Sequence, residues 1–509
     1  MDVGEPRMNH DELLKSYEEL LTKYQVVKNE RDILGNSLAI RIRNRLQKVP
    51  VFGLILRLLH QLTQASAAQW GDRAKLIRGR DLTVERLLAG NLVACPRFPD
   101  AHQGDKLGTP GAKKAILVSH DAYRAGAQLI ALGLLREFVE NLEIEFFVIF
   151  RRSEGAKSAL VKDFSQYGHT ICNNAEIQLS DSSQLIRLLS LFHDPQPIFA
   201  IANSADSLEF IPQLRKAEIP VVALVHEYLD IIQHTTHLPP EQVYRSIFSA
   251  NKVVFPSEFV RSVACSATQS SAGKNIAVIP QGLINPKFGL GDRVQARRIV
   301  FTRHRIPEES ILILGCGSID ARKGTDLFLM LAARMLAQEA GKHLYFLWLG
   351  GENEYSGEVS HWINRAVKVM PRADHFVLAG RHTAVEDYFL AANVFALTSR
   401  EDPFPCVVHE AMASRLPVVT FASNGGAVEA LDGGCGIVVP YLDVGSMADA
   451  ILELISDPAK ARSIVDLAQI KVRSHYDFHV YFTKILQVVR EMTSSMPFAV
   501  DLEPRTTHE

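Results

Sequence analysis

From about residue 113 onward, short runs of consecutive apolar residues alternate with longer stretches whose apolar positions recur every three or four residues. The runs Ala115–Val118, Ile144–Phe150, Ile198–Ala202, Val221–His226, Asn251–Phe255 and Ile276–Ile279 predict strands, and Gln128–Asn141 predicts a helix between two of them. Continuous apolar strands separated by amphipathic helices imply a mostly parallel sheet covered on both faces. A second series begins near Arg298, with strands predicted at Ile311–Gly315, Leu344–Leu349, Phe376–Leu378, Val394–Leu397, Pro417–Phe421 and Gly436–Val439. The fold class is therefore α/β, with two doubly wound, Rossmann-like domains. Ligands in such sheets sit beyond the carboxyl ends of the strands, so a cleft between the domains is the expected site.

The chain before residue 113 has a different texture. Leu13, Tyr17, Leu20, Tyr24, Val27, Arg31, Leu34 and Leu38 alternate four and three apart, a short heptad seam with an arginine at one core position. A weak coiled coil supporting self-association through 13–38, or a helix lying against the protein, fits this pattern equally well. Residues 33–71 hold no acid, while Arg41, Arg43, Arg45, Lys48 and Arg57 stand among Leu, Ile, Val and Phe. Such a basic amphipathic segment, 38–60, suits peripheral contact with an anionic membrane surface; Pro50 and Gly53 break it, and a helical hairpin packed on a domain is the plainer reading. The expected layout is a helical region at 1–94, a Pro- and Gly-rich linker at 95–112, domains at 113–295 and 296–480, and a C-terminal helix and tail at 481–509.

Length and composition agree with that layout. At 509 residues the chain exceeds what one core supports. With 55 Lys and Arg against 57 Asp and Glu, a net charge of −2, it has no global field for nucleic acid. Its six cysteines form no CxxC pair, which argues against a disulfide or zinc framework. Neither a secretory start nor a run of about eighteen apolar residues occurs, so a cytoplasmic location is expected.

Four strand-to-helix loops carry the candidate chemistry. In Ser399-Arg-Glu-Asp-Pro-Phe-Pro-Cys-Val-Val-His-Glu410, two prolines stiffen a turn that presents Asp402, and Glu410 follows inside the next helix. Ionised carboxylates only accept hydrogen bonds, which suits a polyhydroxylated ligand; a helix cap with a solvated glutamate would look the same. The loop Gly315-Cys-Gly-Ser-Ile-Asp-Ala-Arg-Lys323 places Gly317, Arg322 and Lys323 before a helix, the arrangement of a diphosphate site, though an exposed basic turn is the alternative. Ser423-Asn-Gly-Gly-Ala-Val-Glu429 offers a close backbone approach at Gly425 and Gly426 with Glu429 at a helix start. Ser119-His-Asp-Ala-Tyr-Arg-Ala-Gly126 is a weaker phosphate or acceptor loop.

Four loops taken in order, the strand-GSIDARKG-helix turn, DPFPCVVHEAMA, NGGAVE and the further Asp432-Gly-Gly-Cys-Gly-Ile-Val-Val-Pro440, resemble family-4 retaining glycosyltransferases of the GT-B fold, the likeness running from about Lys113 to Ser474 and most strongly over Ile311–Ile455. The resemblance implies transfer of a sugar from a nucleotide-diphosphate donor to a glycan or lipid-linked acceptor, with anomeric configuration retained. It also implies that no metal or other cofactor is needed. On it, Glu410 matches the ribose-holding glutamate of the family's Glu-x7-Glu motif, and Asp402 stands where the first glutamate is expected. Lys323 matches the diphosphate-binding lysine, but the arginine that accompanies it falls on Ser318, with Arg322 close by. Gly425, Gly426 and Glu429 match the glycine pair and following glutamate, Gly126 one glycine of the amino-terminal loop beside Ala125, and His226 the histidine near the transferred sugar. A catalytically silent GT-B-like scaffold is the competing reading. A nucleotide-dependent oxidoreductase would need a GxGxxG turn that neither first βα unit has.

Overall fold

The computed structural model describes residues 92–93, 96–97, 102–103, 106–152, 159–172, 182–228, 240–268, 275–353 and 356–494. The heptad seam at 13–38 and the basic segment at 38–60 lie outside the described residues. All described residues belong to one compact unit, Val84–Glu509.

Its first sheet holds seven parallel strands: β1 (Lys113–Ser119), β2 (Ile144–Phe150), β3 (Gly168–Cys172), β4 (Phe199–Asn203), β5 (Val221–Leu224), β6 (Lys252–Phe255) and β7 (Ile276–Val278). They run in the order β3-β2-β1-β4-β5-β6-β7, and a short antiparallel strand, Leu92–Val93, borders β3. The second sheet contains β8 (Ile311–Cys316), β9 (Leu344–Leu349), β10 (Phe376–Gly380), β11 (Val394–Leu397), β12 (Val418–Phe421) and β13 (Ile437–Val439), ordered β10-β9-β8-β11-β12-β13. Both sheets thus reverse direction beside their first strand, between β1 and β4 and between β8 and β11. That reversal opens a crevice at the strand ends. The predicted α/β architecture of two Rossmann-like domains facing a cleft is the one observed.

Each sheet is buried on both faces, which explains the unbroken apolar runs: every residue of β2 and of β9 is buried. Two apolar clusters flank each sheet. The chain crosses between domains twice. After β7 it passes over through Gln281, Gly282 and Leu283, and at Tyr476–Phe478 it returns, Leu283 N donating to Tyr476 O at 2.7 Å. A side chain on Gly282 would stand 2.8 Å from Asp477 O, so the two crossings lie in contact. The last helix, Phe478–Thr493, therefore belongs to the first domain's core: Phe482 meets Phe138 edge-on, with ring centroids 5.1 Å apart. Within the stretch read as linker, Leu107 is buried, and its N donates to Leu191 O at 2.7 Å.

Candidate functional site

The carboxyl end of β8 begins the site. Gly317 follows it, and a β-carbon there would crowd the Lys323 side chain at 3.2 Å. Asp320 closes the turn by accepting from Lys323 N at 2.7 Å, and the Ser318 hydroxyl also donates to Asp320. Gly324, in the left-handed region at φ 68°, starts the helix Thr325–Leu336, where any side chain would overlap Thr398 O. Lys323 thus stands at a helix amino terminus with its ammonium toward β11. There Lys323 Nζ meets Asp402 Oδ2 at 2.6 Å, and the Ser399 hydroxyl donates to the same oxygen at 3.3 Å. Arg322 is held by Glu401 O at 3.1 Å.

The Asp402 loop is anchored from beneath. Asp402 N donates to Asn424 O at 2.7 Å, and Gly426 N donates to Pro403 O at 2.9 Å. Gly425 has φ 136°, and a side chain there would overlap both Asp402 O and the Tyr228 hydroxyl. Beyond Pro405 the helix Cys406–Ala413 begins, and Glu410 lies one turn along it. Burial, followed by the nearby charge of Glu386, raises the Glu410 carboxyl to about 7. The Cys316 and Cys406 thiols are pushed up chiefly by burial, Cys406 to about 12, and each feels the charges of both Glu410 and Lys323.

The first domain supplies the opposite wall. The helix Gly126–Asn141 has neither a side-chain cap nor an acid in its first turn, so its amino-terminal amides open on the crevice. A β-carbon at Gly126 would sit 3.6 Å from Cys406 Sγ, an ordinary van der Waals separation, so the two domains meet there without requiring glycine. His226, just past β5, is bonded at both ring nitrogens: Nε2 to Asn203 Oδ1 at 2.8 Å and Nδ1 to the Gln281 amide at 2.6 Å. Burial lowers its pKa to about 4, against a raising effect of Glu227, so the ring is neutral near pH 7. Glu227 accepts from the Ser204 hydroxyl at 2.6 Å and from Ala205 N at 2.9 Å.

Between these walls lies a cavity of about 400 Å³. Of the residues expected at the site, Gly126, His226, Arg322, Lys323 and Asp402 line it. Gly317 packs against the Lys323 stem beside it, and Gly425 and Gly426 support the Asp402 loop from below; Glu410 is not among the lining residues and lies one turn beyond Cys406, which is. Glu429 is elsewhere engaged: its carboxylate accepts from Glu258 N at 2.9 Å and Phe259 N at 2.7 Å, capping the first domain's helix Glu258–Thr268 across the domain boundary. Sequence reasoning missed Glu227, Gln281, Asp320 and Asn353, which also line the cavity. Glu227 and Asp320 carried a usable signal, a carboxylate just beyond a parallel strand.

Two Rossmann-like domains with a crevice between their switch points define the GT-B class. Within that class, residues 310–457 match the model of the family described as Glycosyl transferases group 1, which bears out the resemblance drawn from the four loops. D-inositol 3-phosphate glycosyltransferase of Kribbella flavida is 28% identical over 235 residues, covering 43% of this chain and 52% of its own length. D-inositol 3-phosphate glycosyltransferase 1 of Catenulispora acidiphila is 28% identical over 212 residues, with 39% and 47% covered. The chain spans about half the length of these curated relatives. Among solved structures, Anabaena Alr3699/HepE in complex with UDP and glucose superposes with a TM-score of 0.61 at 16% identity, over 75% of this chain and 100% of that one. Sucrose-phosphate synthase (tll1590) from Thermosynechococcus elongatus gives a TM-score of 0.60 at 20% identity, with the same coverage. At these identities the structural likeness is one of fold.

Proposed function

We propose that this protein is a glycosyltransferase that moves a sugar from a nucleoside-diphosphate donor to an acceptor hydroxyl with retention of anomeric configuration. One observation carries the reading: Lys323 and Asp402, paired at the ends of β8 and β11, line one cavity with His226 and the uncapped helix start at Gly126. In this reading the nucleotide ribose bonds to Glu410 and the diphosphate displaces Asp402 from Lys323, with Arg322 adding a second cation. Asp402, once released, accepts from hydroxyls of the transferred sugar beside His226. Gly317 leaves room for the lysine stem, and Gly425, Gly426 and Glu429 hold the loop and the closed cleft.

The chemistry follows from that placement. The bond between the anomeric carbon and the diphosphate oxygen breaks, and its electron pair stays on the diphosphate. Lys323 and the amide dipoles at the helix starts stabilise that charge, with no metal assigned a part. The acceptor oxygen bonds to the anomeric carbon on the face the diphosphate leaves, and the acceptor proton passes to the departing phosphate oxygen. The acceptor class proposed is a glycan or lipid-linked glycan, met in the cytoplasm at a membrane surface through 38–60. The relatives named for D-inositol 3-phosphate make that compound a necessary member of any acceptor panel.

Incubation of the protein with UDP-, GDP- and ADP-sugars and such a panel, with products read by mass spectrometry, tests the proposal. A glycosylated acceptor supports it. The silent-scaffold reading draws on Ser318 replacing a cation and on the Lys323–Asp402 pair; saturable nucleotide-sugar binding without any product would establish it instead.

A further inference from the structure

A one-way chain of hydrogen bonds runs from the second domain to the first through His226. It starts at Cys406, the first residue of the helix Cys406–Ala413, whose thiol donates to Gln281 Oε1 at 3.9 Å, a weak sulfur donor at ordinary range. The Gln281 amide nitrogen then donates to His226 Nδ1 at 2.6 Å. An amide NH2 can only donate, so Nδ1 carries no proton and Nε2 does. Nε2–H in turn donates to Asn203 Oδ1 at 2.8 Å, and Asn203 Nδ2 donates to Ala127 O at 3.1 Å, in the first turn of the helix Gly126–Asn141. The Ala127 carbonyl can only accept, which sets Asn203 Oδ1 toward Nε2; in the neutral ring Nε2 therefore carries the proton, and a reversed Gln281 amide would set its carbonyl oxygen against the unprotonated Nδ1.

Gln281 is placed for this by the fold. It is 4% exposed and lies on the first crossing between domains, where Gly282 and Leu283 are fixed against the returning chain. It is thus the residue through which the second domain's Asp402 loop reaches His226. We propose that Gln281 is a positioning residue, which locks the His226 ring in its Nε2–H tautomer against the cavity wall and couples that lock to closure of the Cys406 loop. Both ring nitrogens are then spent inside the protein, and His226 acts as an oriented wall rather than as a proton carrier. The consequence for catalysis rests on the glycosyltransferase reading, whereas the tautomer does not.

Long-range 15N–1H spectra of the full-length protein labelled at histidine test the lock at pH 7, the His226 signal being assigned by its loss in His226→Asn. The titratable groups facing this ring are Glu227 and His120, so both are kept in every variant. We expect an Nε2–H signature in the wild type and a mixture of tautomers in Gln281→Met, which removes the donor at similar volume. In Gln281→Glu, a carboxylate facing Nδ1 should give the doubly protonated ring. Transfer assays on the same variants should show kcat lowered ~10- to 100-fold in Gln281→Met, the range a misplaced group produces, with donor KM within about twofold. An Nδ1–H wild type, or His226 signals that do not change in either variant, would overturn the lock. A changed tautomer with unchanged kcat would overturn its role in transfer. A wild type that shows the Nε2–H signature but transfers no sugar would refute the proposed activity and leave the lock standing.

Discussion

Lys323 meets a carboxylate in a site where its proposed partner is a diphosphate. Asp402 is 5% exposed and accepts from the Ser399 hydroxyl as well as from Lys323, so the pair stores the cation ready for exchange. Lys323→Ala removes the charge that meets the leaving group. Loss of one such preorganised contact lowers turnover on the order of 10²- to 10³-fold, which steady-state kinetics would read, while circular dichroism should report the same fold. Glu410 gives a prediction of a different kind. Its pKa is raised from 4.5 to about 7, so between those values the folded protein holds a proton that the unfolded chain has lost. Its contribution to stability therefore falls as pH rises through that window. Glu410→Gln should flatten the decline in melting temperature from pH 5 to pH 8; an unchanged slope would assign the decline to other groups. Ribose hydroxyls favour the ionised carboxylate, so nucleotide binding near pH 6.5 should release a proton. Calorimetry in buffers of different ionisation heat would detect that release, and Glu410→Gln should abolish it.

At the scale of elements, the loops that follow β8, β11 and β12 were legible because each breaks an apolar run with glycine, proline or charge just before a helix. What those residues hold was less legible. Gly425, Gly426 and Glu429 look alike as a donor loop, yet the glycines admit Asp402 O and Pro403 O while Glu429 reaches a helix about 170 residues earlier in the chain. Nothing local encodes that partner. Gln281 was overlooked for the same reason, since its two partners lie on separate domains. A capping carboxylate stabilises by about 1 kcal/mol. Glu429→Gln should therefore loosen the cleft, and hydrogen exchange should quicken at the Glu258 and Phe259 amides while the sheet amides keep their rates. Gly425→Ala is harsher, because it meets Asp402 O with φ at 136°; it should lower nucleotide binding together with stability.

For the whole molecule, two sheets with the same strand order face each other across a crevice, and the alternation of strand and helix made that much readable from Lys113 onward. The docking of the last helix was not readable, because an amphipathic helix announces a buried face without naming what covers it. Phe482 is 2% exposed against Phe138 of the first domain. Phe482→Ala should cost about 3–5 kcal/mol, seen as a lower denaturant midpoint for the first domain, although the residue follows the second in sequence. The basic segment at 38–60 adds a prediction at the same scale: the full chain should float with anionic vesicles, a chain lacking 1–83 should not, and equal flotation would discard membrane contact.

The central claim is that a nucleoside diphosphate binds between the domains, its diphosphate on Lys323 and its ribose on Glu410. A crystal structure of the protein with UDP bound tests this directly. The account predicts Lys323 Nζ turned from Asp402 to a phosphate oxygen and the ribose hydroxyls on the Glu410 carboxylate. Nucleotide bound elsewhere on the surface, with the Lys323–Asp402 pair intact, would contradict it.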